Sequence, residues 1–197
     1  MKKMAAGKIK YRVLVASSGE KIHDYFSSLL PPDEYEIVCH TKSAGETRRV
    51  LLSQNADVVI INTPLSDEFG TELALDLSEG VMGIMLVVKA ELFERVAHKV
   101  EDSGVLTVAR PNSRQTFYGA LKLLTAVSAK LSKMEKKNLS LIEKMTDIRT
   151  VNRAKWLLIE NLNMTENDAH HYIEKQAMDT RLSRREVAEG IIRTYDK

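Results

Sequence analysis

The sequence predicts an α/β domain built on a five-stranded parallel sheet, followed by a long helix and then by a small all-α domain. Three observations support this prediction. Short segments rich in Val, Ile and Leu recur in roughly the first 120 residues, and the distances between them leave room for helices. A heptad pattern of apolar residues follows, and the last fifty residues show helical periodicity without a strand pattern.

The strand-like segments alternate with segments long enough for helices, a pattern typical of a parallel sheet covered on both faces. The predicted strands are Tyr11–Val15, Tyr35–Cys39, Asp57–Ile61, Ile84–Val88 and Val105–Val108. The predicted helices lie near 20–30, 44–54, 71–79, 91–102 and from 113 onward, and a capping box at Ser43 to Glu46 marks the start of the second.

Five such units resemble the receiver domain of bacterial response regulators, which has a flavodoxin-like fold. The resemblance rests on residues 62–70 (NTPLSDEFG) after the third strand, and on Gly104 and residues 109–111 (ARP) around the fifth. We assign this receiver-like domain to residues 11–122, after a flexible N-terminal arm at 1–10.

The residues that phosphorylation requires are replaced in this receiver-like domain. A phosphorylatable receiver carries two acids after its first strand, an Asp after its third, a Ser or Thr after its fourth and a Lys after its fifth. Here the matching positions are Ser17, Ser18, Asn62, a residue near Val88, and Arg110. Hydroxyls are weak Mg²⁺ ligands, and an amide cannot replace a carboxylate nucleophile. We therefore predict a degenerate phosphoacceptor pocket that is not phosphorylated.

A heptad run over residues 123–148 predicts a coiled-coil linker helix. Its a and d positions are Leu124, Val127, Leu131, Met134, Asn138, Leu141, Met145 and Ile148. A period of 3.5 residues indicates pairing with another helix, and Asn at an a position is typical of a parallel dimer. We expect a homodimer; the alternative is a helix that packs back on its own receiver-like domain.

The C-terminal segment predicts three amphipathic helices. New helices should begin near Thr165 and Ser183, where capping-box residues precede apolar runs. The apolar faces, which must pack together, are Ile148, Val151, Ala154, Leu158 and Leu162, then Ala169, Tyr172, Ile173, Ala177 and Met178, then Val187, Ala188, Ile191 and Ile192. We interpret the Ala, Met and Trp residues of this segment as core.

This segment resembles the ANTAR module, a three-helix domain that binds RNA. The matching stretches are residues 151–159 (VNRAKWLLI), 168–172 (DAHHY), 174–179 (EKQAMD) and 183–188 (SRREVA), and we assign the module to 146–197. The resemblance implies a transcription antiterminator whose dimer binds hairpin RNA in a nascent transcript leader. The receiver-like domain would then be a platform for dimerisation and for docking of a regulatory protein.

Charge is unevenly distributed in this part of the chain. From Lys130 to Lys155 there are eight basic residues and three acidic ones, which is enough to attract phosphate although the whole chain has a formal charge of only +2. The candidate RNA contacts are Arg149, Arg153, Lys155, Arg181, Arg184 and Arg185.

Other functions find less support in the sequence. No apolar run approaches the roughly 18 residues of a membrane span, and the first ten residues lack the apolar core of a secretion signal, so we expect a cytoplasmic protein. Neither zinc-ligand spacing nor a phosphate loop nor a catalytic triad pattern is present, so we expect no metal, no cofactor and no enzymatic activity.

Two alternatives to RNA binding stay open. Helices at 165–178 and 184–194 could form a DNA-binding helix-turn-helix, although the predicted connection at 179–183 is longer than the usual three or four residues. The C-terminal helices could instead bind another protein.

Overall fold

The computed structural model describes residues 10–19 and 22–196, with only the backbone of His23. All of the predicted N-terminal arm except Lys10 therefore lies outside the described residues. The chain divides into two units, 1–133 and 134–197, which we call unit 1 and unit 2.

Unit 1 is built on five parallel strands in the order β2-β1-β3-β4-β5. The strands are β1 Tyr11–Ser17, β2 Tyr35–Thr41, β3 Val58–Asn62, β4 Gly83–Lys89 and β5 Leu106–Arg110. The strand order reverses between β1 and β3, and the carboxyl ends of strands at such a point form the crevice in which doubly wound sheets bind ligands. The predicted α/β flavodoxin-like fold is confirmed.

The helices alternate with these strands and then continue alone. They are α1 Ile22–Leu29, α2 Ala44–Leu51, α3 Thr71–Ser78, α4 Phe93–Val100, α5 Arg114–Leu162, α6 Glu166–Thr180 and α7 Arg184–Tyr195. Helix α4 is shorter than the predicted helix at 91–102, because tight 3₁₀ turns at 90–92 and 101–103 flank it. The predicted linker helix and the first C-terminal helix are a single element, α5, of 49 residues.

The sheet of unit 1 is buried on both faces. Successive strand residues point to opposite sides, so Val13 and Ile60 enter one core and Leu14 and Ile61 the other. The first core also contains residues of α1 and α5, namely Phe26, Leu29, Phe117, Leu121 and Leu124. The second contains residues of α2, α3 and α4, namely Ala44, Leu73, Ala74, Val96 and Val100.

Leu124 was predicted to belong to the coiled-coil seam, the row of a and d residues that faces a second helix. This prediction is wrong. It is only 7% exposed and packs in the first core of unit 1, because the first turns of α5 cover the sheet. The alternative of a helix packed on its own receiver-like domain thus holds at least as far as Ser128, whose Oγ would lie 2.7 Å from a Cβ at Gly83 of β4. The apolar seam residues that follow Leu124 are half exposed within the chain: Val127, Leu131, Met134, Leu141, Met145 and Ile148.

Unit 2 is all-α, and its helices pack on a small core. That core consists of Ala154, Leu158, Ala169, Ile173, Ala188 and Ile191, two residues from each helix. Four residues predicted on the buried faces are largely exposed instead: Ile148, Leu162, Tyr172 and Met178. The predicted apolar faces are wider than the buried faces of the structure. The core is small because each helix contributes an alanine to it.

Gly70 is held in a backbone conformation that other residues rarely adopt. Its φ is +103°, and a Cβ at this position would lie 2.9 Å from Cγ2 of Ile61. Gly104 also has a positive φ, of +72°, but a Cβ there would meet no atom within 4 Å. A residue with a side chain would therefore strain the backbone at both positions, and it would cause a steric conflict only at Gly70.

Gly70→Ala should lower the free energy of unfolding by about 2–4 kcal/mol, because strain and overpacking add. The matched control Gly104→Ala should lower it by about 1–2 kcal/mol through strain alone. Urea denaturation of both variants measures the difference. Equal losses would contradict a steric role for Ile61.

Candidate nucleic-acid interface

Three helices of unit 2 surround a groove of about 680 Å³, which we call the α5–α7 groove. It is lined by Glu143, Lys144, Asp147, Ile148, Val151, Asn152 and Lys155 of α5, by His170 of α6, and by Ser183, Arg184 and Arg185 at the start of α7. Four of these residues are cationic, so positively charged side chains from two helices converge on one concave surface.

Helix caps position the cationic end of α7. Glu186 N donates a hydrogen bond to Ser183 Oγ at 3.2 Å, and Ser183 N donates to Glu186 Oε2 at 2.8 Å. This reciprocal pair is the predicted capping box, and the bond from the Ser183 backbone lowers the pKa of Glu186. Because the cap fixes where α7 begins, it also fixes Arg184 and Arg185 beside the groove.

Three of the four cations of the groove are paired with acids in the free protein. The pairs are Lys155–Glu166 at 3.0 Å, Arg184–Glu174 at 3.1 Å, Arg185–Asp147 at 3.1 Å and Arg185–Glu189 at 2.8 Å. Hydrogen bonds to Glu189 and, to a smaller extent, to Asp147 raise the pKa of Arg185. Exposed ion pairs contribute only about 0–1 kcal/mol each, so a phosphate group can take the place of the acid.

The other three candidate RNA contacts do not line this groove. Arg153 forms an ion pair with Asp196. Arg149 and Arg181 are exposed, and neither forms an ion pair with another described residue. The structure thus brings together Lys155, Arg184 and Arg185 and leaves the other three apart.

Sequence reasoning missed three residues at or beside the groove. Lys144 and Asn152 line it, and helical spacing could have revealed Lys144, which lies eleven residues, or about three turns, before Lys155. Trp156, interpreted as core, is 66% exposed on α5. Periodicity could have revealed this exposure, because Trp156 is two residues from Ala154 and two from Leu158 and so points away from the buried face of the helix.

In unit 1, hydrogen bonds hold the substituted residues of the degenerate phosphoacceptor pocket in place. Asn62 Nδ2 donates to Ser17 Oγ at 3.0 Å, and both residues are buried. Ser18 Oγ donates to the Pro64 carbonyl at 2.8 Å. Arg110 Nη2 donates to the Thr63 carbonyl. These bonds join the ends of β1, β3 and β5 without using a carboxylate.

The assignment of Val88 to this pocket is wrong. Val88 is buried in the second core, on the opposite face of the sheet. Val87 is paired with Asn62 in the strand register and shares its face. A shift of one residue along a strand reverses the side to which the side chain points. The aliphatic residue in the pocket is therefore Val87.

Two acids near the pocket stabilise helix starts. Asp67 accepts hydrogen bonds from Gly45 N at 3.0 Å and Ala44 N at 2.8 Å, which lower the pKa of its carboxyl group. Glu68 accepts one from Leu73 N at 2.9 Å. Within residues 10–19 and 22–196, no group of three His, Cys, Asp or Glu residues is arranged to hold a metal ion.

Comparison with known families identifies unit 2. Residues 140–192 match the model of the ANTAR domain. This part of the chain is an ANTAR domain. The match begins before the predicted boundary at 146 and so includes α5 residues Glu143 and Lys144 of the groove.

Two kinds of similarity extend beyond the ANTAR domain. The transcriptional regulatory protein PdtaR of Mycobacterium tuberculosis (strain H37Rv) is 26% identical over 184 residues, which are 93% of this chain and 90% of that protein. A signal receiver domain from Pseudomonas fluorescens Pf-5 has a TM-score of 0.57 at 18% identity and covers 66% of this chain and 98% of its own.

A CheY-like receiver domain from Methanospirillum hungatei JF-1 gives a TM-score of 0.53 at 18% identity and covers 62% of this chain and 98% of its own. Both predicted resemblances are thus confirmed: a receiver fold precedes an ANTAR domain. Among the described residues, no helix is long and apolar enough to cross a membrane.

The substituted pocket predicts no reaction with a phosphoryl donor. Incubation of the full chain with acetyl phosphate and Mg²⁺ should leave its intact mass unchanged, because the Asn62 amide is not a carboxylate nucleophile. Intact-mass spectrometry measures this directly. A stoichiometric, acid-stable or acid-labile gain of one phosphoryl group would contradict the prediction.

Proposed function

We propose that the protein is a dimeric, non-enzymatic regulator of transcription antitermination that binds hairpin RNA through its ANTAR domain. The observation that carries this proposal is the α5–α7 groove, in which Lys144, Lys155, Arg184 and Arg185 converge within that domain. Such a concentration of cations suits the phosphate backbone of a nucleic acid.

Phosphate contacts alone do not select a hairpin, so neighbouring groups must read bases. Asn152 and Ser183 line the groove; the Asn152 amide can donate to and accept from base edges, whereas the Ser183 hydroxyl, which donates to Glu186, can only accept. Single-stranded loops expose these edges, whereas the A-form major groove is too deep and narrow for side chains. The proposal therefore assigns the stem phosphates to the cations and the loop to these polar residues.

Trp156 extends this interface along α5. It follows Asn152 by four residues and Arg149 by seven, so the three side chains lie on the same side of the helix. An exposed tryptophan two turns from an arginine that pairs with no described acid suits an unstacked base, since base–aromatic stacking contributes about 1–3 kcal/mol. This gives Arg149 a role in RNA binding outside the groove.

The exposed apolar residues of α5 support pairing of two chains. Six half-exposed apolar side chains recur at a and d positions from Val127 to Ile148, with exposed Asn138 among them. Burial of such a stripe against a second copy removes it from water, and paired Asn residues set the register. A dimer presents two ANTAR domains, which suits RNA with paired hairpins.

The receiver-like unit has a regulatory role in this proposal. Its pocket lacks the acids for phosphorylation, so we assign it to dimer contacts and to docking of a regulatory protein. Action on nascent transcripts places the protein in the cytoplasm.

DNA binding is the second candidate, and one observation favours it. The connection between α6 and α7 consists of residues 181–183 alone, not 179–183 as predicted. Three residues is the length of a helix-turn-helix turn. The predicted length was wrong because α6 continues through Thr180 and ends at Arg181, which adopts a left-handed conformation with φ of 56°.

Replacing the three predicted contacts in the groove should weaken RNA binding. The variant Lys155→Ala, Arg184→Ala, Arg185→Ala should bind a stem–loop RNA, selected from a pool with randomised loop positions, at least about tenfold less tightly. The slope of log affinity against log salt should become shallower by about 2–3, because up to three phosphate contacts are lost. Fluorescence anisotropy over a salt series measures both quantities.

The matched control for this variant is Lys175→Ala with Arg193→Ala, which removes exposed cations of α6 and α7 that do not line the groove. The control should retain wild-type affinity and slope, and circular dichroism should show equal helicity in all proteins. Equal weakening in the control, or tighter binding of wild type to duplex DNA than to the selected RNA, would contradict the proposal.

Charge within the seam should separate the dimer. Leu131→Lys with Leu141→Lys places like charges across a dry interface, so the full chain should sediment as a monomer. The control Leu139→Lys with Thr146→Lys changes exposed residues at b positions, outside the seam, and should remain dimeric. If the variant Leu131→Lys with Leu141→Lys sediments as the wild type does, the seam does not hold the dimer together.

A further inference from the structure

A small cavity lies at the carboxyl end of the sheet in unit 1, beside the degenerate phosphoacceptor pocket. Its volume is about 210 Å³, and its walls are mainly apolar: Ile22, Tyr25, Phe26, Val87 and Phe117. Three polar residues, Asn62, Arg110 and Asn112, complete the lining. An apolar cavity with a few convergent polar groups is the usual form of a small-molecule site.

Arg110 gives this cavity a positive charge, and none of the described residues that line it carries a negative one. Its Nη2 donates to the Thr63 carbonyl, and its Nε is enclosed with no hydrogen-bond acceptor. Within the described part of the chain, Arg110 forms no ion pair. The acids that face the equivalent lysine in a phosphorylatable receiver are here Ser17, Ser18 and Asn62. The substitutions therefore removed the anions of the site and kept the cation.

The two amides restrict the kind of anion that fits. Asn62 Nδ2 already donates to Ser17, and Asn112 Nδ2 donates to the Ala109 carbonyl at 3.0 Å. Each amide keeps one further N–H, so the polar lining offers at most two neutral donors beside Arg110. A phosphate dianion needs several donors to replace its water. A carboxylate carries one charge and needs only the accessible edge of the guanidinium.

We propose that this cavity binds a small aromatic carboxylate. The carboxylate would pair with Arg110, and the ring would lie among Tyr25, Phe26 and Phe117. A cavity of about 150 Å³ lined by apolar residues holds benzene, so a volume of 210 Å³ accommodates one ring together with a carboxylate.

Ligand binding here would supply an input that phosphorylation cannot. Phe117 belongs to the first turns of α5, and Phe26 to α1. The ring centroids of Phe26 and Phe117 lie 5.7 Å apart. A ligand in contact with both rings would stabilise the start of α5 against the sheet. Because the cavity lies wholly in unit 1, this proposal stands independently of RNA binding.

Titration of the full chain with benzoate, benzyl alcohol and inorganic phosphate tests the ligand class. By isothermal calorimetry, benzoate should bind at least about tenfold more tightly than benzyl alcohol, which lacks the charge. In ¹H–¹⁵N spectra, benzoate should shift the side-chain amide signals of Asn62 and Asn112. Absence of benzoate binding at millimolar concentration, equal affinity for benzyl alcohol, or equal affinity for phosphate would overturn the proposal.

Arg110→Gln tests the residue. It should weaken benzoate binding by about tenfold or more. The control Arg49→Gln changes an exposed arginine that also donates to a backbone carbonyl, that of Gly45, and should bind benzoate as the wild type does. Unchanged affinity in a folded Arg110→Gln protein would refute the role of Arg110. If that variant does not fold, the comparison of benzoate with benzyl alcohol on wild type decides.

Discussion

The ANTAR domain depends on three alanines that allow its helices to approach closely. Ala154, Ala169 and Ala188 come from α5, α6 and α7, and each has no exposed surface. A larger side chain at any of them would separate the helices, and an acid would be buried without a partner. The α5–α7 groove is the outer edge of the same packing. Its cations converge only because the alanine core fixes the distance between α5 and the start of α7.

Local placement of charge, rather than total charge, supports nucleic-acid binding. The chain has 29 basic and 27 acidic residues, a balance that carries no information about a partner. Within the groove, acids hold Lys155, Arg184 and Arg185 in defined positions. Breaking these ion pairs when RNA binds costs little free energy. The acids also oppose nonspecific attraction of anions, so binding should require RNA of complementary shape. In this account the ion pairs of the free protein prepare the site for phosphate.

Much of the fold could be predicted because alternating apolar runs and capping residues are local signals. Ser183 with Glu186 marks the start of α7, and all five strands were placed within two residues of their observed ends. Errors arose where one residue changes a face or where a partner must be known. Val88 was chosen over Val87 because sequence does not fix the point at which a strand meets the pocket.

The candidate site was less predictable than the fold. Periodicity identified Leu124 as apolar and regularly spaced, but it could not show that the sheet of unit 1 already covers it. Likewise, Lys155 and Arg185 are thirty positions apart, and only the packing of α5 against α7 makes them neighbours. The exposure of Trp156, by contrast, follows from helical spacing, since it lies opposite Ala154 and Leu158 on α5.

Emission of Trp156 offers the most direct measurement of RNA binding, because it is the only tryptophan in the chain and lies beside the groove. Titration with the selected stem–loop RNA at fixed moderate salt should quench this emission to a saturating level as a base stacks on the indole. Duplex DNA of equal length should cause little change over the same range. Emission that hairpin RNA leaves unchanged, or that duplex DNA quenches equally, would contradict the assignment of this face of the ANTAR domain to RNA.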